Sequence, residues 1–122
     1  SERSTDGFKT NIKEDGEYAL FFNENFVYIP ETFAVHQNYP NPFNPVTTLR
    51  IDLPEAQKVQ IHIFNVLGQK VRTLVHEHLP AGVQKFTWNS KNDVGHSVSS
   101  GIYFYRVITD NKFITKKMVL IK

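Results

Sequence analysis

The 122-residue chain has no cysteine, one methionine and one tryptophan. Without thiols it can form neither a disulfide nor a thiolate metal site, and that absence assigns no compartment, because many exported proteins lack disulfides. No run of about 18 apolar residues occurs, so no segment is suited to a membrane-spanning helix. No basic stretch followed by an apolar one opens the sequence, so it does not begin as a signal peptide does. It could still be a fragment of a larger exported protein with its signal upstream.

Several chemistries are missing too. There is no Gly-x-x-x-x-Gly-Lys loop, no Gly-x-Ser-x-Gly elbow and no serine–histidine pairing with a nameable base. A small hydrolase would need such a pair. Arg-rich helices and zinc spacings are absent, and bases are interspersed with acids, so nothing points to nucleic acid. No Asn-x-Ser/Thr acceptor is present, and no cofactor is indicated.

What is present is aromatic and alternating. Ten Phe and five Tyr suggest a sheet core rather than a helical one, and the length suffices for one core but not two. Charge is uneven: residues 1–40 carry three Lys/Arg against seven Asp/Glu, while residues 41–122 carry eleven against five. Lys112, Lys116, Lys117 and Lys122 make the end basic. Such a tail could meet an acidic partner or anionic lipopolysaccharide, or be a set of outward lysines that soften an exposed edge.

The segment Gln37-Asn38-Tyr39-Pro40-Asn41-Pro42-Phe43-Asn44-Pro45 organises the rest. Three prolines in nine residues allow neither a helix nor a central strand, and Tyr39 and Phe43 give the segment something apolar to pin down. It reads as a stapled crossing that opens a β domain. Before it, residues 1–15 read as a linker or the end of a preceding module. Residues 16–36 hold short β segments, 17–22 and 26–29 around an Asn-Glu-Asn turn, whose membership in the sandwich the sequence leaves open.

After Pro45 the period is two. Leu49, Ile51 and Leu53 face one way, against Thr48, Arg50 and Asp52. Val59, Ile61 and Ile63 repeat the pattern. Leu67-Gly68-Gln69 turns the chain into a strand with Val71 and Val75, where a bulge near Thr73 would bring Leu74 and Leu79 into line. Phe86 and Trp88 point inward, the indole N–H needing one partner; a sugar-stacking surface role for Trp88 is the alternative. Residues 89–100 form a long loop. In 101–108, Tyr103, Tyr105 and Val107 share one face, and Ile102 and Phe104 the other. Residues 113–121 close the chain. About six strands without a helix mean an all-β sandwich, with Leu49, Ile51, Val59, Ile61, Ile63, Phe86 and Trp88 in its core.

Two weak metal readings arise. His76 and His78 alternate onto one face, with no third ligand indicated. Asn89, Asn92 and Asp93 could offer oxygens to Ca²⁺, but their spacing fits no EF-hand; a capped, Gly-tipped loop is the plainer reading. The final strand, Lys116–Lys122, could be gripped by another protein through backbone pairing or simply close a sheet.

The run Gln37-Asn-Tyr-Pro-Asn-Pro-Phe-Asn-Pro-Val-Thr-Thr-Leu-Arg-Ile51 resembles the opening of the type A C-terminal sorting domain of the type IX secretion system. Further phrases follow in order: Asn65-Val-Leu-Gly-Gln-Lys-Val71, Ala81-Gly82, Trp88-Asn89, Gly95, Ser100-Gly-Ile-Tyr-Phe-Tyr-Arg-Val107 and Lys117-Met-Val-Leu-Ile-Lys122. They span residues 37–122. The pattern also resembles the Ig-like domain of flagellar hook-assembly scaffolds.

The resemblance implies an immunoglobulin-like antiparallel β-sandwich of about seven strands. It would be a non-catalytic, monomeric address at the end of a larger exported protein, destined for the cell surface or the medium. Implied partners are the outer-membrane translocation machinery, its shuttle protein and a sortase. The sortase would cut within residues 1–36 and link the parent to anionic lipopolysaccharide. Gly101, Tyr103, Tyr105, Lys117, Met118, Val119, Leu120, Ile121 and Lys122 would belong to the recognised part. Asn41, Pro42, Phe43, Asn44 and Pro45 would form the entry motif. Asn89 departs from the family's usual Asp. The competing reading is a carbohydrate-binding or structural accessory module, with Phe64, Phe104 and Phe113 as a possible aromatic row.

Overall fold

In the computed structural model, which describes residues 18–20 and 28–122, every regular element is a strand. β1 (Tyr18–Leu20) and β2 (Tyr28–Pro30) pair antiparallel as a ribbon of their own. The Asn-Glu-Asn turn between them lies outside the described residues. The other strands are β3 (Ala34–Val35), β4 (Thr47–Leu53), β5 (Gln57–Phe64), β6 (Lys70–Leu79), β7 (Gly82–Trp88), β8 (Gly101–Ile108) and β9 (Phe113–Leu120).

They form two antiparallel sheets, one ordered β3-β4-β7 and the other β6-β5-β8-β9. The hairpins β3–β4, β5–β6 and β8–β9 stay within a sheet, and the connections β4–β5, β6–β7 and β7–β8 cross between sheets, as in an immunoglobulin-like sandwich. The seven strands of these sheets are one more than the alternation alone gave and match the number the resemblance implied.

Alternation explains the core. Leu49, Ile51, Leu53 and Trp88 from one sheet meet Val59, Ile61, Ile63, Tyr105, Val107, Met118 and Leu120 from the other in a single buried cluster. Leu74 bulges out of the β5–β6 ladder, since Ile61 pairs with Val75 but His62 with Thr73. The extra residue shifts the phase of β6, so that Arg72 and Val75 both stand opposite inward residues of β5, while Val75 and Leu79 beyond it alternate normally and are buried. Phe86 corrects the expected core list: it is half-buried, packed against the cluster from outside it. The reason is its place on β7, an outer strand of the three-stranded sheet.

Asp52 is another difference. Alternation faces it outward, yet it is buried. Its carboxylate accepts from Arg50 Nε at 2.9 Å and lies 2.9 Å from His36 Nε2. The Arg50 guanidinium and the hydrogen bond with the His36 ring offset the cost of removing the carboxylate from water.

Candidate functional site: the entry segment clamped on the last strand

The proline segment crosses from one sheet to the other. Tyr39 forms a bridge with Thr48 of β4, and four residues later Phe43 forms a parallel bridge with Leu120 of β9. The Tyr39–Pro40, Asn41–Pro42 and Asn44–Pro45 peptide bonds are cis. Prolines supply no N–H, so the segment's carbonyls must find donors elsewhere. Pro40 O accepts from Asn38 Nδ2 at 3.2 Å and Thr47 Oγ1 at 2.8 Å, and Pro45 O accepts from the Ser90 hydroxyl.

Buried Asn38 is the hub of this network. Its side chain donates to Thr47 Oγ1 at 2.9 Å and accepts from Gln37 Nε2 at 2.6 Å, while its backbone N–H donates to the Tyr105 hydroxyl at 2.9 Å. The Tyr105 hydroxyl in turn donates to His36 O at 2.8 Å. Burial pushes the Tyr105 phenol up to about 12, with the Asn38 N–H opposing.

Where the segment reaches β9 it closes that strand's outer edge. Phe43 N–H donates to Val119 O at 3.0 Å, and Ile121 N–H donates to Phe43 O at 2.9 Å. The Asn41 side-chain carbonyl accepts from Val119 N–H at 3.0 Å, and Gln37 Nε2 donates to Lys117 O at 2.7 Å. The Phe43 ring anchors the clamp: it is 2% exposed and sits 5.8 Å from the Trp88 ring, which lies 5.6 Å from Tyr103. Trp88 donates its indole N–H to Lys91 O at 2.9 Å. The sugar-stacking alternative for Trp88 is thereby overturned, because the indole is only 1% exposed.

The entry and tail residues are therefore one place. Of the tail set, Tyr103, Tyr105, Met118 and Leu120 point into the core, and Val119 is half-buried. Gly101, Lys117, Ile121 and Lys122 are exposed. Of the entry set, Phe43 is buried while Asn41, Pro42, Asn44 and Pro45 lie on the surface. Sequence reasoning singled out the segment holding Gln37 and Asn38 but missed their hydrogen-bonding roles and those of Thr47 and Ser90. Their signal was the donor deficit of three nearby prolines.

The end of the sandwich beside the C-terminus carries two turns built alike. Asn65 Oδ1 accepts from the N–H groups of Leu67 and Gln69, and Asn92 Oδ1 from those of Val94 and His96. Gly68 and Gly95 occupy the same step of each turn with φ of +81° and +88°, where a glycine is cheap. Asp93 Oδ1 accepts from Thr73 N–H at 3.0 Å on the edge of β6. The oxygens suggested for Ca²⁺ from Asn92 and Asp93 are thus engaged by backbone donors, and the Gly-tipped loop describes this stretch better. A concavity between the turns includes Lys70, Asp93 and Tyr103, but the Tyr103 hydroxyl donates to Ser99 O at 2.7 Å. His76 and His78 are both exposed, opposite Gln60 and Lys58. Among the described residues, no three His, Asp or Glu side chains are grouped to hold a metal ion.

Comparison with solved structures finds similarity to dimeric latent PorU from Porphyromonas gingivalis, with 18% identity, a TM-score of 0.60, and coverage of 74% of this chain and 9% of that one. PorZ, an essential surface component of the type-IX secretion system of the same organism, is similar at 21% identity and a TM-score of 0.48, over 75% of this chain and 12% of PorZ. The chain thus spans a small part of either protein, and the likeness to PorU speaks for the fold alone. No curated protein sequence matches. The model of the secretion system C-terminal sorting domain matches residues 37–122, from the start of the clamp to the last residue. The chain belongs to that family, the C-terminal sorting signals of type IX secretion, which take a protein through the outer membrane to the cell surface or the medium.

Proposed function

We propose that this domain is a non-catalytic address, read as a folded unit by the outer-membrane translocation machinery and its shuttle protein. A sortase then removes it from its parent by cutting within residues 1–36. The parent is the active protein, and any link to anionic lipopolysaccharide is made through it. The domain acts as a monomer.

The observation that carries this reading is the clamp. Residues 37–43 hold the backbone of Lys117–Ile121 by four hydrogen bonds, so the ends of the matched region meet at one edge. In the assembled domain, Gly101, Lys117, Ile121 and Lys122 are the members of the tail set available for direct contact, with half-buried Val119 beside them. Tyr103, Tyr105, Met118, Leu120 and the entry residues Asn41 to Pro45 hold them in place. An accessory carbohydrate module is less well supported. Arg106 lies over both Phe64 and Phe113 at 5.4 Å, so the candidate aromatic row already carries a guanidinium.

The test is a reporter exported to the periplasm and fused ahead of residues 1–122, in a host with a type IX system. The intact fusion is expected at the surface or in the medium, and the fusion lacking Lys116–Lys122 inside the cell. Release of the truncated fusion would sink the reading.

A further inference from the structure

The outward face of the four-stranded sheet is unlike that of the three-stranded sheet. Val59, Ile61 and Ile63 point inward, so Lys58, Gln60, His62 and Phe64 alternate to the outside. Pairing places Lys70, Thr73, His76 and His78 of β6 beside them. On the other flank, Phe104 pairs with Phe64 and with Lys117, and Arg106 pairs with His62 and Thr115. Among the described residues, no Asp or Glu stands at an outward position of these four strands. Glu77 pairs with Val59, on the inward side of the sheet. Asp93, at the rim, is engaged by Thr73 N–H.

Four cations, Lys58, Lys70, Arg106 and Lys117, therefore share a face with three histidines and no carboxylate. The field is felt locally: the His62 pKa is lowered, first by burial and then by Lys70, His76 and Arg106, against the pull of Asp93. The opposite sheet differs, since its Arg50 is paired with the Asp52 carboxylate.

Apolar groups are interleaved with the cations. Phe113 is 67% and Ile102 41% exposed, and Arg106 bridges Phe64 and Phe113. Arg and Phe on a flat, partly apolar patch are what protein interfaces favour. Sugar recognition wants amides, carboxylates and a Trp or Tyr platform, and this face offers one amide, Gln60. Charge complementarity then fixes the sign of the partner.

We infer that the outward face of the β6-β5-β8-β9 sheet docks an acidic, partly apolar surface of a protein in the secretion machinery. This rests on the sorting-signal reading and names the partner's chemistry. The cations steer encounter, and Phe113, Phe104 and Ile102 supply the desolvated contact.

The test compares the full 122-residue chain with Lys58→Glu/Arg106→Glu and with the control Lys85→Glu/Lys112→Glu, which makes the same charge change on the other sheet and in the turn before β9, where Lys112 lies over Phe33. Trp88 fluorescence and thermal unfolding establish that all three are folded. The binding probe is a poly(Glu,Tyr) copolymer at low and moderate salt, with dextran sulfate as the polysaccharide arm. The face variant is expected to lose at least tenfold in affinity for the copolymer, the control less than twofold, and dextran sulfate to bind more weakly than the copolymer. Equal losses in both variants, or tighter binding of dextran sulfate, would overturn the proposal. The same three chains are then fused to the exported reporter. Secretion of wild type and control with retention of the face variant supports the surface. Secretion of all three removes the docking proposal and leaves the address standing. Retention of all three counts against the address itself, and the copolymer result alone then decides the surface.

Discussion

Phe43→Ala tests whether the clamp is held by a buried ring or by its hydrogen bonds. The ring is 2% exposed and tilted against Trp88. Truncating a buried Phe costs about 3–5 kcal/mol, because transfer energy is lost and a cavity remains. Alanine keeps the backbone N–H and C=O that hold Val119 O and Ile121 N–H, so hydrogen bonding is chemically unchanged. Asn41→Ala is the complement: it removes one acceptor, for Val119 N–H at an exposed edge, worth about 0.5–1.5 kcal/mol. Urea unfolding should therefore separate the two variants by at least about 1.5 kcal/mol, a large part of the 5–15 kcal/mol typical of a small domain. Amide exchange gives the local readout. The Ile121 N–H should lose protection in Phe43→Ala, while the Val119 N–H alone should lose it in Asn41→Ala. A Phe43→Ala cost below about 1 kcal/mol, or unchanged Ile121 exchange, would refute the claim that the ring anchors the edge.

Tyr105 and Gly101 provide two further tests. The folded-state pKa of Tyr105 is raised to about 12, whereas an unfolded tyrosine titrates near about 10. Its stabilisation is fully present below the unfolded value and is lost as pH rises from there through the folded value. Tyr105→Phe should cost about 1–3 kcal/mol at neutral pH, by leaving Asn38 N–H and His36 O without the hydroxyl, and should flatten this part of the alkaline decline; parallel urea-midpoint curves for the two proteins would refute the assignment. Gly101 has φ of +152° with nothing within 4 Å of where a Cβ would stand, so Gly101→Val should destabilise by about 1–3 kcal/mol through backbone strain alone. A neutral thermal melt would show that the position tolerates a side chain.

The strand pattern was legible because each inward series is short-range. Leu49, Ile51 and Leu53, or Val59, Ile61 and Ile63, declare their side of a sheet by alternation alone, and Trp88 follows by size. Asp52 was not legible, since its burial depends on Arg50 two residues away and on His36 delivered from across β3. The clamp escaped for the same reason: Phe43 and Leu120 meet across almost the whole domain, and no local period announces that pairing. Proline chemistry gave half the answer, a rigid crossing, and was silent about which edge the crossing would seal. The two Asn-turns were readable in principle. Asn65-Val-Leu-Gly-Gln69 and Asn92-Asp-Val-Gly-His96 share one spacing, in which an Asx acceptor precedes the left-handed Gly by three residues.

The geometry of β9 bears on what a sorting signal at a chain end can be. A tail read as a free peptide would have to be peeled from its sheet. Met118 and Leu120 would leave the core, and the four bonds from residues 37–43 would break. Each such bond is worth about 0.5–1.5 kcal/mol and each large side chain several times that, so peeling approaches the stability of the whole domain. A partner that reads the closed edge and the cationic sheet face beside it pays none of this. Lys117 stands at the join, its carbonyl held by Gln37 and its side chain outward on the basic face. Recognition of the folded domain then makes the entry motif as necessary as the tail, although its exposed residues need not touch the partner. It also means that loosening of the clamp by Phe43→Ala and charge reversal at Arg106 should impair sorting by separable routes, the first with loss of Ile121 amide protection and the second without it.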